Sequence, residues 1–506
     1  MLANCPTLWR DWARGDVLLI AAVDVGSARA RAGLYTPQGQ LVARASRGFA
    51  TLPSPGGEAG FDFAEIWQAV ADALAEARRM AGASPAQVAA LAFDATCSLM
   101  VDAPGFTPDV IAWHDHRALA EADRVSALDH EVVIRAGGSV SPEMQAPKLL
   151  WLARQRPEVW AGLRGIRDLC DHLAFRATGV PARSLCATAA KWPWLPDRGG
   201  WAEDLLAHFG IADFPRAEPV LAPGTAIGPL GEAGAAELGL DRNCIVAAGL
   251  IDAFSGALGA APDMPALIAG TSNCVMAAGV PARAALWGPY PGAILPGETV
   301  SEGGQSATGA LLESIRRQYP QPQGHDAILA RISRGPEPGV GIHLLPDVKG
   351  NRTPFADPLM RGVIHGLPLD RDAPALDALY WRAAVAIALG TRQVIAHMGL
   401  ASQRLAMAGG QARSGLMRQL YADATGAEIH WQPEDAVLRG TAIAAAAPAL
   451  GGIRAARARF ARAVQVTRPD PGARARREAD WTIFQRMQQH RAEITKMQEN
   501  QHVSGH

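Results

Sequence analysis

Residues 21–35 read AAVDVGSARARAGLY, and they close a continuous apolar run, VLLIAAVD, over 17–24. The run has the length and composition of a buried strand. It ends on a bare acid, Asp24, followed at once by glycine, serine and two arginines. An aspartate among apolar residues is costly unless something binds it. Either the strand simply stops in an Asp-Val-Gly turn, or the turn is a site for a metal and a phosphate. Downstream, RAGLYTPQGQLVARAS sets Pro37-Gln38-Gly39-Gln40 between two strand-like stretches, which predicts a hairpin. FDFAEIWQAVADALAEARRMAGA follows, with a capping-box-like start at Asp62 and Glu65 and with Ile66, Val70 and Leu74 at helical spacing. AALAFDAT then reads as a short strand, so the first hundred residues alternate in an α/β pattern.

Farther along, CIVAAGLIDAFSGALGA at 244–260 gives a strand running into a glycine-spaced helix start. ALIAGTSNCVMAAGVPA then repeats the opening theme of strand, small polar turn and strand. The likeness is weak, but it falls where a second copy of the first domain would begin. Residues 105–230 are rich in Trp, Pro and irregular stretches and read as insertions on the first domain. Beyond about 460 the chain turns basic and Gln-rich. Trp481, Phe484 and Met487 predict one docking helix, RARREAD at 474–480 a solvated helix face, and NQHVSGH a frayed end.

A length of 506 residues exceeds one core and predicts two domains. With 49% hydrophobic and 19% charged residues, and Lys+Arg 48 against Asp+Glu 49, the balance points to no nucleic-acid or membrane partner. The six cysteines, Cys5, Cys97, Cys170, Cys186, Cys244 and Cys274, form no CxxC pair, as expected of free thiols in a reducing compartment. MLANCPTLWRDWARGD lacks the basic start and apolar middle of a signal peptide, so a cytoplasmic location is expected.

Four glycine-polar turns end or follow apolar runs: DVGS at 24–27, GTSN at 270–273, EGGQSATG at 302–309 and AGGQARS at 408–414. Small residues there let backbone N–H groups approach an anion. One such turn says little, but four at strand ends suggest phosphate chemistry. Asp252, in GLIDAFSGALG, reads equally as a helix cap and as a base accepting a hydroxyl proton during phosphoryl transfer; spacing alone does not choose.

DVGSARAR, FDATCSLM, WHDHRA, SPEMQAPKLLWL, GLIDAFSGALG, GTSNCVM, EGGQSATGALLE, GNRTPFADPLMRG and MAGGQARSGLMRQLYADATG occur in the order found in FGGY carbohydrate kinases. The chain resembles that family from about 18 to 450, and most closely its ribulokinase branch. The resemblance implies two ribonuclease H-like domains of the actin and hexokinase type, with ATP and sugar in the cleft between them. It implies an N-terminal domain over 17–255, a C-terminal domain over 256–462 and a terminal helix and tail over 463–506. Carried onto this chain, it makes Asp24 the acid that holds Mg²⁺, Gly26, Ser27 and Arg31 the first phosphate hairpin, and Asp252 the catalytic base. Gly270, Thr271 and Ser272 would form the second phosphate hairpin, and Gly409, Gly410 and Ser414 the turn receiving adenosine. Cys97, Lys148 and Glu302 would face the sugar together with Asp252. The implied reaction is ATP-dependent phosphorylation of the terminal hydroxyl of a ketopentose, D-ribulose first. Another pentulose, or a sugar alcohol such as ribitol or erythritol, is the alternative within the class. An actin-like switch without sugar transfer, or a degenerate relative, lies outside it. Family habit also implies a homodimer.

Several residues keep plainer readings. His114 and His116 invite a metal, but an Asp115–Arg117 pair beside the sugar pocket is the favoured reading. Arg29 reads as solvated, and Trp113, Trp151, Trp192 and Trp194 mainly as packing. Phe254 and Val275 stand where ribulokinase-like relatives carry histidines, so the sugar preference is the least determined feature.

Overall fold

The computed structural model describes residues 18–53, 58–370 and 372–503; Cys5, residue 17 and the end of NQHVSGH lie outside them. The apolar run becomes β1 (Leu19–Val25), buried along its whole length. It pairs antiparallel with β2 (Arg29–Tyr35), which pairs antiparallel with β3 (Leu41–Gly48) across the Pro37–Gln40 turn, where Gly39 takes φ +76°. On the other side β1 runs parallel to β4 (Val88–Ala95). Beyond β4 the sheet continues through β5 (Ala226–Pro229) at the edge and β6 (Ile245–Ile251), which is parallel to β4. Helix α1 (Phe63–Met80) starts as expected, with the Asp62 side chain accepting from Ala64 N. Glu65 accepts from Ala50 N instead of closing the box on Asp62.

The second sheet repeats the first. β7 (Ala266–Ala269) pairs antiparallel with β8 (Asn273–Ala278). β9 (Trp287–Pro291) is an added edge strand on β10 (Thr299–Gln305), which pairs antiparallel with β8. β7 runs parallel to β11 (Arg404–Ala408), which runs parallel to β12 (Glu428–Trp431), with β13 (Gln465–Thr467) at the far edge. Stripped of edge strands, the orders are β3-β2-β1-β4-β6 and β10-β8-β7-β11-β12, with identical strand directions. The faint repeat in the sequence is therefore a duplicated fold.

Between β4 and β6 the chain builds α2 (Gln145–Gln155), α3 (Leu185–Lys191) and three strands of a small five-stranded sheet, whose other two strands, Leu52–Pro53 and Ala59–Phe61, precede α1. Two further helices join the lobes. α4 (Asp252–Gly259) leaves the first sheet, and after α5 (Ala373–His397) and α6 (Gly415–Thr425) the chain returns through α7 (Ala436–Ala446), which packs on β1, β4 and β6. Where α4 crosses α7, glycine is required: a Cβ on Gly259 would lie 1.9 Å from Ala436 O, and one on Gly440 1.9 Å from Ser255 O. The main core surrounds the first sheet and takes in the segment 436–460, including helix α8 (Ile453–Arg459); a second core lies around α5.

The last helix, α9 (Pro471–Val503), docks through Phe484, stacked on Trp481 and packed, with Met487, on the second core. The 474–480 run is solvated only in part, at Ala475, Arg476 and Ala479. Arg477 is 3% exposed and bonds Glu337, and Asp480 accepts from Arg382, because this helix lies against α5 and must pair the charges it buries.

Candidate active site

Each lobe offers a three-residue turn at the same place in its topology. In the first, Gly26 N donates to Arg29 O at 3.0 Å; in the second, Gly270 N donates to Ser272 O at 3.0 Å. The second turn is braced from behind. Thr308 Oγ1 donates to Asn273 Oδ1 at 2.8 Å, Asn273 Nδ2 to the Tyr421 hydroxyl at 2.8 Å, and Gln411 Nε2 to Gly270 O at 3.3 Å.

Asp24 is fully buried at the end of β1, opposite Asp94 on β4. Arg31 reaches across from β2, bonding Asp24 and, at 2.7 Å, Asp435, the residue that caps α7. Despite burial, these carboxylates hold the Arg31 guanidinium above its usual pKa. Asp94 accepts from Thr441 Oγ1, and burial followed by the charge of Asp24 pushes it well above the carboxylate range. Asp24 Oδ1 has no hydrogen-bond partner. Such an orphaned carboxylate oxygen fits a cation held by one carboxylate together with water and phosphate oxygens, the usual manner of Mg²⁺. Among the described residues no three His, Cys, Asp or Glu side chains are grouped to hold a metal by themselves.

Asp252 opens α4, and its Oδ1 accepts from Ala253 N at 2.7 Å. It thus orders the helix start and also lines a cavity between the lobes. Burial and then the charge of Asp24 push its pKa up to about 6. The same cavity is lined by Ser27 and Arg31, by Cys97 and Trp113, and by Gly270, Thr271 and Ser272. Its deeper wall carries Lys191, Trp287, Glu302 and Arg352. Glu302 accepts from Cys274 Sγ at 2.5 Å and from Arg352. Burial works against its charge, yet Arg352 and Lys191 hold it below the usual glutamate value. Lys191 is buried, its ammonium 4.2 Å from the Trp287 ring centroid, and Arg352 lies over the same ring at 4.0 Å.

A second cavity starts from the other side of the same turn. Gly270 and Thr271 line both. Gly410 and Ser414 line the second, and Ser414 caps α6 by accepting from Met417 N at 3.3 Å. Gly409 is not in the cavity wall; at φ +95° it turns the chain against β7, where a Cβ would fall 2.4 Å from Ala269 O. Glu313, Arg317, His325 and Tyr380 complete the wall, with His325 Nδ1 2.8 Å from the Tyr380 hydroxyl.

Lys148 lies elsewhere than the resemblance implied. Its ammonium is fully buried behind the cavity, donating to Glu143 O at 3.2 Å and Ala112 O at 3.4 Å, so it braces two loops. Lys191 lines the cavity in its place; nothing in the Ala-rich stretch LCATAAK marks it from sequence. Arg352 lay inside the quoted GNRTPFADP motif and could have been singled out. Asp115 and Arg117 form the expected pair, with two bonds of 2.8 Å and Arg117 over Trp151. Arg29 is exposed, and Trp192 packs against Arg183, Trp201 and Phe214. Phe254 lines the cavity, whereas Val275 turns into the second core.

The models of the FGGY carbohydrate kinases match this chain over both halves, the N-terminal domain at 19–259 and the C-terminal domain at 266–449. The chain belongs to the FGGY family of carbohydrate kinases. An FGGY carbohydrate kinase domain-containing protein of Danio rerio is 34% identical over 94% of this chain and 98% of its own length. A D-ribulokinase of Saccharomyces cerevisiae is 30% identical, covering 80% of this chain and 68% of the yeast protein. Among solved structures, gluconate kinase from Lactobacillus acidophilus superposes with a TM-score of 0.81 at 20% identity, over 95% of this chain and all of that one, a likeness of fold. This FGGY kinase is accordingly an ATP-dependent phosphotransferase on two matched α/β lobes. No helix among its described residues is long and apolar enough to cross a membrane.

Proposed function

We propose that the kinase phosphorylates the terminal hydroxyl of a ketopentose, D-ribulose first. The observation that carries this reading is the turn at Gly270-Thr271, whose two sides line two cavities, one of them containing Asp252. ATP in the cavity of Gly410 and Ser414 would direct its terminal phosphate toward that turn. A sugar in the cavity of Asp252, Cys97, Lys191 and Glu302 would present a hydroxyl on the opposite side. Asp252, held by Ala253 N, accepts the hydroxyl proton as the oxygen attacks. Backbone N–H groups of Ser27, Thr271 and Ser272 take the phosphate oxygens, those of Gly26 and Gly270 being used to close the turns. Asp24 would hold Mg²⁺, which supplies charge neutralisation on the phosphates when bound. Lys191 and Arg352 donate to sugar oxygens and Glu302 accepts, so hydroxyl positions are read by a fixed set of groups.

The cavity charges favour a neutral sugar. Arg31, Lys191 and Arg352 stand against Glu143, Asp252 and Glu302, which leaves no net attraction for an acidic substrate. D-Ribulose is placed first because the WHDHRA and GNRTPFADP motifs and the yeast D-ribulokinase agree. Phe254 narrows the cavity and makes another pentulose or a sugar alcohol the second reading. ADP release against pentuloses, pentitols, tetritols and glycerol tests the assignment. The highest kcat/KM is expected for D-ribulose; no sugar-dependent turnover with any of them, while ATP still binds, would overturn it. The same proposal sets the lobes at 17–255 and 256–462, a homodimer as the assembly and a reducing, cytoplasmic setting for the five described cysteines, all free and buried.

A further inference from the structure

Arg352, which lines the sugar cavity, stands on a loop at 347–361 that is held from two sides. Thr353 ties it to β10. Thr353 N donates to Gly304 O at 3.2 Å, its Oγ1 accepts from Gly304 N at 3.1 Å, and the same hydroxyl donates to Ala285 O at 2.8 Å. That fixes the residue after Arg352. The residue before it, Asn351, exchanges backbone bonds of 2.8 and 2.9 Å with Asp357 across the loop. Its side chain is buried, donating from Nδ2 to Asp347 Oδ1 at 2.7 Å and accepting from Phe355 N at 3.0 Å.

The other oxygen of Asp347 is taken by the terminal helix. On α9, Arg477, Trp481, Phe484, Gln488 and Arg491 follow one another at intervals of three or four residues, so they form one stripe. The stripe faces the second lobe: Arg477 bonds Glu337, Phe484 enters the second core, and Gln488 exchanges two bonds of 2.9 Å with Gln393 on α5. Arg491 closes it. This arginine is buried, and its Nη1 donates to Asp347 Oδ2 at 2.6 Å and to Arg361 O at 3.2 Å. One nitrogen of α9 therefore holds both ends of the loop, and Asp347 passes the constraint to Asn351, the neighbour of Arg352. The matched family domains end at residue 449, so the clamp comes from outside them.

The Arg352 guanidinium bonds Glu302 and lies over the Trp287 ring at 4.0 Å. A planar fork that must meet a carboxylate and a ring face together tolerates little movement of its backbone. We propose that Arg491 is a positioning residue for sugar recognition: through Asp347 and Asn351 it fixes the backbone that carries Arg352. The inference rests on the proposed role of Arg352 at the sugar, and it sets a determinant of sugar affinity on the terminal helix.

The test uses the full-length kinase with D-ribulose, or with whichever sugar of the panel gives the highest kcat/KM. Arg491→Met should raise the KM for sugar at least fivefold and leave the KM for ATP within twofold and kcat within threefold. Hydrogen exchange of the 347–361 segment, followed without sugar or nucleotide, should quicken at least tenfold. Arg491→Lys should restore both readings, because one ammonium can donate to Asp347 and to Arg361 O as Nη1 does. Asp347→Asn combined with Arg491→Met leaves no unpaired buried charge; it should show the same rise in KM and covers the case in which Arg491→Met folds poorly. Arg352→Gln alone and Arg352→Gln with Arg491→Met should agree in sugar KM within twofold, since a clamp that acts through Arg352 then has nothing left to place. Unchanged exchange in Arg491→Met, an unchanged sugar KM there while Arg352→Gln raises it, an equal rise in both KM values, or additive effects in the combined variant would overturn the proposal. An unchanged sugar KM in Arg352→Gln would remove that residue from the sugar, overturning its role in the proposed function and this inference with it. Should no sugar of the panel turn over, the proposed function fails, while the exchange measurement still decides for or against the clamp.

Discussion

Asp24 and Asp94 are register partners on neighbouring parallel strands, both wholly buried, each with one carboxylate oxygen lacking a hydrogen-bond partner. Two ionised carboxylates that close would repel strongly. Burial and the charge of Asp24 keep the proton on Asp94, while Arg31 compensates Asp24. Asp94 is therefore the neutral, hydrogen-bonding acid of the pair.

Asp94→Asn, an isosteric neutral group, is accordingly expected to keep turnover within about fivefold of wild type and to hold or raise the melting temperature. Asp24→Asn should reduce magnesium-dependent turnover at least 100-fold, in line with loss of a metal-holding acid, without unfolding the protein. Steady-state rates and thermal melts of the two variants make the comparison; equal inactivation of both would mean that two ionised carboxylates are needed.

Asp252 should write its titration into the rate. With its carboxyl pushed up to about 6, the ionised base predominates above that pH and is lost below it. kcat/KM for sugar should fall about tenfold per pH unit below 6. A cation bound at Asp24 should move the limb lower, because the charge of Asp24 is the second cause of the shift. The same shift bears on stability: the folded state binds this proton more tightly than the unfolded chain. Its stabilising contribution is thus complete below about 4 and is lost as pH rises through 6. Asp252→Asn should therefore be more stable than wild type at pH 7 without nucleotide, by about 1–3 kcal/mol, while turnover drops at least 1,000-fold and sugar binding persists.

The two buried lysines separate binding from bracing. Lys191→Met should raise the KM for sugar at least tenfold and leave the KM for ATP within twofold, since Lys191 lines the sugar cavity and is absent from the wall of the cavity of Gly410 and Ser414. Lys148→Met should lower the melting temperature instead, because the carbonyls of Glu143 and Ala112 lose their donor. A buried acceptor left unpaired costs about 1–3 kcal/mol. Kinetics on both variants decide; a larger effect on sugar KM from Lys148→Met would restore that residue to the pocket.

How much of this was legible depends on whether the signal was local. Asp24, Gly26 and the 270–272 turn announce themselves, because an acid or a glycine at the end of an apolar strand breaks the pattern around it. Asp252 was legible as an acid opening a helix, and the resemblance made it the base beside the sugar; the structure adds that it lines a cavity. Lys191 was not, because an alanine-rich helix does not say which end faces a cleft formed by β9 and β10 a hundred residues later. Lys148 was misread for the related reason that a motif lysine can serve the wall behind a pocket as well as the pocket. Arg477 and Asp480 looked solvated because their partners, Glu337 and Arg382, are distant in sequence.

The crossing of α4 and α7 gives the last prediction. The helices touch backbone to backbone at Gly259 and Gly440, where a single methyl would sit 1.9 Å from a carbonyl oxygen of the other helix. Neither obstacle is a flexible side-chain end, so the helices themselves must part. Gly440→Ala would also disturb Ser255, whose hydroxyl lies 2.8 Å from that of Thr441, and through Thr441 the bond to Asp94. Overpacking of this kind costs about 1–3 kcal/mol or more, so each single variant should melt several degrees below wild type. Because α4 begins at Asp252, parting the helices should also displace the base, lowering kcat by more than tenfold in whatever fraction remains folded. Melting curves and active-site-normalised kcat for Gly259→Ala and Gly440→Ala check both parts. Full stability and full kcat in either variant would mean that the crossing is looser than the backbone contact requires.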